Sequence, residues 1–303
     1  MPPAFSHDIT LIGAPTDVGG GQPGADQGPQ ALRTAGLPAA LEALGLQVHD
    51  GGDLSGPPNP QHLPQDGYRH LDEVIAWNRV VHDAVARSLA QDQLPILLGG
   101  DHSLAIGSIS AVARHCRAVG KRLRVLWLDA HADCNSRRTS PSANLHGMPL
   151  ACLRGLGPPA LTQLSGQVPA LEADAVRQIG VRSVDAGEVD LVHQLGLTVF
   201  DMQALHTLGM REVMTRALAG MDELTHLHVS FDVDFLDPGI APGVATTVRD
   251  GPNLLEAQLC MRMIADSGRL GSLDVVELNP ILDEHQRTAD LAVTLITTLL
   301  APQ

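Results

Sequence analysis

Short apolar runs alternate along the chain with longer stretches of helical periodicity. The runs at 9–13 (ITLIG), 46–49 (LQVH), 95–99 (PILLG), 123–129 (LRVLWLD), 177–181 (RQIGV), 197–200 (LTVF), 226–232 (HLHVSFD) and 272–277 (SLDVVE) read as strands. Between them the spacing predicts helices near 29–44, 70–91, 103–119, 187–195, 209–220, 253–267 and 285–300. Near-continuous apolar strands separated by helices predict an α/β fold in three layers, a central, mostly parallel eight-stranded sheet covered on both faces. The alternation persists to the C-terminus, so residues 1–303 are expected to form a single domain. Two loops exceed ordinary connector length, a Gly-rich one at 14–28 and a Ser/Thr/Asn-rich one at 132–149. The Gly/Pro/Gln-rich stretch 51–68 is expected to be a solvated connector.

Composition narrows the function. The chain has 303 residues and a formal net charge of −14, which disfavours nucleic-acid phosphates as partners. Its seven aromatic residues leave few platforms for stacking bases. Lys121 is the only lysine, so no polybasic membrane patch exists. Cys116, Cys134, Cys152 and Cys260 are widely spaced, which excludes a zinc ribbon and suits a reducing compartment. His7 and Asp8 interrupt the N-terminal segment, and no apolar stretch is long enough for a membrane span. A cytoplasmic protein without a signal peptide is expected.

Four acid and histidine groups follow predicted strands. They are Gly99-Gly100-Asp101-His102-Ser103, Asp129-Ala130-His131-Ala132-Asp133, Ser230-Phe231-Asp232-Val233-Asp234, and Glu277 with Leu278-Asn279-Pro280. Ligands of open α/β sheets bind outside the carboxyl ends of the strands, so these groups can converge there. In extended chain, alternate residues share a face. Asp129, His131 and Asp133 can therefore meet, as can Asp232 and Asp234. With His102 they make four carboxylates and two imidazoles. Like charges at that density would force protonation unless cations were present. Two divalent ions resolve the conflict, with Asp129 and Asp232 as natural bridges. Carboxylate and imidazole ligands suit Mn²⁺, while Zn²⁺, Co²⁺ and Fe²⁺ remain compatible.

These motifs together resemble the ureohydrolases, the family of arginases, agmatinases and their relatives. The resemblance runs from Gly13-Ala14-Pro15 to the helix at 285–300. It is nearest to the arginases through Asn135, the segment Ser142-Ala143-Asn144-Leu145-His146-Gly147, and Arg182-Ser183-Val184-Asp185-Ala186-Gly187-Glu188. It implies one manganese held by His102, Asp129, Asp133 and Asp232, and a second held by Asp129, His131, Asp232 and Asp234. It implies a proton shuttle at His146 and a guanidinium partner at Glu277. Asn135, Ser142 and Asn144 would receive the substrate carboxylate, Asp185 and Glu188 its ammonium, and Thr246 would line the pocket. The implied reaction is hydrolysis of L-arginine to L-ornithine and urea by a hydroxide bridging the two metals, with Asp133 protonating the leaving amine. A homotrimer or homohexamer is implied as well.

Alternatives follow from the same residues. Agmatinase or another guanidino-acid hydrolase would share the metal ligands, and a catalytically inactive metal-dependent binding protein would share the scaffold. Three departures bear on the loops: Phe235 where relatives generally carry a small residue, Ala245-Thr246-Thr247 in place of Gly-Thr-Pro, and Ala132 where animal arginases have Thr. Gly19-Gly20-Gly21-Gln22-Pro23-Gly24 formally fits a dinucleotide fingerprint, with Asp50 ending the next strand. Its first glycine lies too far past the strand, however, and Pro29 is the expected helix start.

Overall fold

A computed structural model describes residues 8–301. The N-terminal segment through His7, on which the signal-peptide expectation rested, lies outside them. Among the described residues eight strands form one sheet: β1 (Ile9–Ala14), β2 (Val48–Asp53), β3 (Leu94–Gly99), β4 (Arg122–Leu128), β5 (Val176–Ile179), β6 (Thr198–Phe200), β7 (Thr225–Asp232) and β8 (Leu270–Val276). Their order is β2-β1-β3-β8-β7-β4-β5-β6, and every pairing is parallel.

Period-two alternation sends each strand's side chains into two cores. Ile9 and Leu11, Leu94, Ile96 and Leu98, Leu126 and Leu128, and Leu227, Val229 and Phe231 belong to one cluster. Against it pack α1 (Gly28–Thr34), α2 (Leu37–Ala43), α8 (Met202–Leu208), α9 (Met210–Leu218), α10 (Leu254–Asp266) and α11 (Arg287–Leu300). On the other face Ile12, Ala14, Leu97, Val125 and Trp127 meet α3 (Leu71–Ala90), α4 (Ala105–Val119) and the short α5 (Pro149–Leu153) and α6 (Pro159–Thr162). α7 (Val189–Gln194) completes the order. In α3 the buried residues Val74, Trp77, Asn78, Val81, His82, Ala84, Val85, Ser88 and Leu89 fall on one broad helical stripe.

Most expected elements stand within a few residues of their predicted bounds. β2 begins later and runs into Gly51-Gly52, part of the stretch expected to be a connector. It is an edge strand, so pairing with β1 alone suffices to extend glycine-rich backbone. The helix expected over 29–44 breaks at Gly36, whose left-handed backbone (φ 87°) turns the chain between α1 and α2. α8 is an additional helix, capped by Asp201 accepting from the Ala204 amide at 2.7 Å. All four cysteines are buried and free. No helix among the described residues is long and apolar enough to cross a membrane.

The sheet order has one consequence for function. β3, β8, β7 and β4 are consecutive neighbours, and their carboxyl ends deliver His102, Glu277, Asp232 with Asp234, and Asp129 with His131 and Asp133.

Candidate active site

His102 sits in a single turn between β3 and α4, with Asp101 accepting from the Ser103 amide to start that turn. Its Nε2 meets Ser230 Oγ at 2.9 Å, which turns Nδ1 toward the acids. His102 Nδ1 lies 3.2, 3.0 and 3.1 Å from Asp129 Oδ2, Asp133 Oδ2 and Asp232 Oδ2. The second imidazole, His131, places Nδ1 3.0 Å from Asp234 Oδ2 and 3.5 Å from Asp129 Oδ1. Asp129 thus presents one oxygen to each histidine. Asp232 also faces His102, but its other oxygen accepts from the Asp234 amide at 2.8 Å. The structure therefore sets Asp129 between the two histidines and sets Asp232 beside His102.

Charge explains why this cluster fits cations. Burial opposes ionisation of Asp133 and the Asp129 charge adds to it, raising its pKa to about 7. Asp232 is pushed well up by burial and by Asp234 and Asp129. Burial works against the imidazolium of His102, yet the carboxylates of Asp129, Asp133 and Asp232 close to its Nδ1 win and raise it well above its ordinary value. The pocket demands positive charge among its carboxylates. His102 Nδ1 and Asp133 Oδ2 are buried without hydrogen-bond partners, as ligand atoms awaiting a metal would be. Two ligand groups result, His102-Asp129-Asp133 and Asp129-His131-Asp234, sharing Asp129.

Trp127 and Ser230 were not among the expected residues. The Trp127 indole donates to Asp129 Oδ2 at 2.8 Å, and its ring stacks on His102 with centroids 4.2 Å apart. Both lie two residues before a ligand on the same strand face, so the alternation that revealed the ligands also marks them.

Glu277 has a left-handed backbone (φ 64°), an uncommon state for a glutamate. Its Oε1 accepts from the His102 amide at 2.8 Å and meets His146 Nδ1 at 3.0 Å. Asp133 and Ala143, which carry the adjoining loop, also have positive φ.

The cleft above the cluster encloses about 110 Å³ and is lined by His146, Asn135, Ser142, Asp185, Glu188, Thr246 and Glu277 among others. Ser140 and Ser183 line it too and were not anticipated. Asn135 Nδ2 donates to Asp185 Oδ2 at 2.9 Å. Ser142 Oγ accepts from the Asn144 amide at 3.2 Å. Asn144 itself lines an adjoining cavity of about 270 Å³, which shares His146, Thr246 and Glu277 with the cleft. Thr246 Oγ1 donates to Asp234 Oδ2 at 3.0 Å. The loop 14–28 forms one wall, for the His146 amide donates to the Gly19 carbonyl at 3.0 Å.

That loop is not a nucleotide cradle. The Gly19 and Gly24 amides donate to Asp101 and Asp17, and Asp50 pairs with Arg33 at 2.8 Å. α1 carries Pro29 in its first turn, as expected. Phe235 is fully buried against Phe231, over Gly180, where a Cβ would stand 2.5 Å from its ring. A missing side chain thus accommodates the unusual phenylalanine.

Residues 7–301 match the family model described as "Arginase family". The chain belongs to the arginase family. The arginase of Bacillus caldovelox is 42% identical over 294 residues, covering 96% of this chain and 97% of that protein. The arginase of Brevibacillus brevis is 40% identical over 297 residues, covering 97% and 98%. The native crystal structure of the Bacillus caldovelox arginase superposes with a TM-score of 0.91 at 40% identity, covering 98% of this chain and 99% of that one. An arginase-family fold accounts for the four adjacent strands that deliver His102, Glu277, Asp232 and Asp129 to one edge of the sheet.

Proposed function

We propose that this chain hydrolyses the guanidinium group of L-arginine to L-ornithine and urea, using two manganese ions held by His102, Asp129, His131, Asp133, Asp232 and Asp234. The observation that carries the reading is Asp129, whose two oxygens face two different histidines. These residues would hold two divalent cations, whose chemistry there would be to supply a hydroxide near neutral pH.

The remaining work falls to the side chains. Glu277, fixed by the His102 amide, accepts charge-assisted hydrogen bonds from the guanidinium and holds its carbon over the cluster. Asp133 takes the proton of the hydroxyl added to the guanidinium carbon and gives it to the departing amine, whose C–N bond breaks as the urea carbonyl forms. His146 carries protons between cleft and solvent. Asn135, Ser142 and Asn144 receive the substrate carboxylate, and Asp185 receives its ammonium. Residues 1–303 act as one domain, cytoplasmic and assembled as a homotrimer or homohexamer.

The test is urea release from L-arginine, agmatine and guanidinobutyrate, with and without added Mn²⁺. Manganese-dependent release from L-arginine above the other two supports the reading. Preference for agmatine would make the protein an agmatinase. No release from any of them would leave a binding protein.

A further inference from the structure

Glu188 does not sit in the cleft as a free carboxylate. It is 3% exposed and stands at the N-cap of α7. Its Oε1 accepts from the Cys134 amide at 2.6 Å and its Oε2 from the Asp185 amide at 3.3 Å. The first amide adjoins Asp133, which has a left-handed backbone (φ 51°) and faces His102. The second belongs to Asp185, an exposed residue at the far end of the same cleft. Asn135 closes the loop, donating to Asp185 Oδ2 from the residue after Cys134. The Glu188 amide in turn donates to the Asp185 carbonyl at 2.9 Å.

We propose that Glu188 is a positioning residue and not an ammonium ligand: its carboxylate ties the segment carrying Asp133 to the turn carrying Asp185, so that one side chain fixes the spacing between the metal centre and the site for the amino-acid end. This rests on the arginase reading for the identity of that end. The coupling itself concerns only this chain's hydrogen bonds. A carboxylate is the one side-chain group of this size that offers both oxygens as acceptors. Glutamine keeps the shape but turns an N–H toward one of the two amides, leaving two donors opposed. Aspartate keeps the charge but shortens the reach by one methylene. Both variants cut the tie by different means.

The experiment compares Glu188→Gln, Glu188→Asp and Asp185→Asn with wild type in three measurements. These are manganese affinity, amide hydrogen exchange of the segments around 133–136 and 183–188, and kcat/KM for L-arginine against guanidinovalerate, which is arginine lacking only its α-amino group. Loss of an outer-shell contact at a metal site costs about 10- to 100-fold in metal affinity. Both Glu188 variants should lose manganese affinity on that scale and exchange faster in both segments. Their preference for L-arginine over guanidinovalerate should stay at the wild-type ratio, while Asp185→Asn lowers that ratio and keeps manganese. If Glu188→Gln lowers the ratio as Asp185→Asn does and leaves manganese affinity and exchange unchanged, Glu188 binds the ammonium directly and the proposal is overturned. If one Glu188 variant fails to fold, the other carries the same comparison. Should wild type fail to hydrolyse L-arginine, the arginase reading falls, and the metal and exchange measurements still decide the role of Glu188.

Discussion

His146 Nδ1 and Glu277 Oε1 stand 3.0 Å apart, joining the 132–149 loop to the end of β8. Burial opposes the imidazolium, yet Glu277 prevails and raises the His146 pKa to about 9. In turn, although burial opposes it, His146 lowers the pKa of Glu277. The carboxylate proposed to take the substrate guanidinium therefore already holds a cation of this chain.

A guanidinium entering the cleft competes with that cation. Once it neutralises Glu277, the support for protonated His146 weakens and a proton leaves. Between the ordinary histidine value of 6.5 and about 9, binding should release protons. Binding of guanidinium ion to the metal-free protein should accordingly tighten as pH rises toward 9 and then level off, by at most about tenfold per pH unit. His146→Ala should flatten this dependence. A dissociation constant for guanidinium ion that is independent of pH in metal-free wild type would refute the competition.

The same pair makes a stability prediction for the metal-free protein. The folded pKa of His146 lies above its unfolded value, so its contribution is fully present below about pH 6.5 and is lost as pH rises through about 9. The Tm difference between wild type and His146→Ala should shrink across that window. A difference that grows with pH would contradict the ion pair.

Asp129 differs from the other ligands in facing both histidines. Asp129→Ala should abolish binding of both manganese ions, whereas Asp133→Ala should weaken the His102 side and spare the other. Metal counts per chain after dialysis separate the two outcomes. Chelation of wild type should also lower Tm, since a ligand held at a hundred times its Kd stabilises by about 2.7 kcal/mol. Equal metal loss in both variants would mean that the centres do not share Asp129 in the manner described.

Much of this site was legible because its residues obey one rule, spacing by two at strand ends, although Asp133 has a left-handed backbone and Asp234 lies in a single helical turn, so the chain does not stay extended through either motif. Asp129, His131 and Asp133 are spaced by two, as are Asp232 and Asp234, and the apolar runs before them give the strands that carry them. Trp127 and Ser230 obey the rule too, but an indole and a hydroxyl read as core residues until their donors are seen. The Glu188 tie was not legible. Backbone amides leave no mark in a sequence, and Glu188 lies more than fifty residues from Cys134. β2 escaped full prediction for the opposite reason, since its glycines carry no strand signal and pairing with β1 supplies the order.

Gly180 and Phe235 form a pair whose logic is steric. Gly180 has φ 95°, and its Cβ would meet the Phe235 ring at 2.5 Å. Gly180→Ala should be destabilising through both the backbone and the overlap, with the backbone part alone costing about 1–3 kcal/mol. Adding Phe235→Ala should recover the part due to overlap and leave the backbone part. Chemical denaturation of the two single variants and the double variant measures the coupling. Simple additivity would show that the ring moves aside freely.

Substrate choice turns on the far end of the cleft. L-arginine and agmatine present the same guanidinium to Glu277, and they differ in the carboxylate that agmatine lacks. Asn135 and Ser142 line the cleft beside Asp185, while Asn144 faces the adjoining cavity. A site built to hydrogen-bond a substrate group penalises an analogue that lacks it by about 10⁴-fold when dry. Asp185 is exposed, so water softens the penalty, and kcat/KM should favour L-arginine over agmatine by about 10²–10³-fold. The D-enantiomer, with ammonium and carboxylate exchanged, should also be poor. Asp185→Ala should raise KM for L-arginine and leave manganese content unchanged, because its carboxylate meets Asn135 and none of the proposed metal ligands. Equal or better turnover of agmatine would reassign the substrate while leaving the guanidinium chemistry at Glu277 and the metal cluster in force.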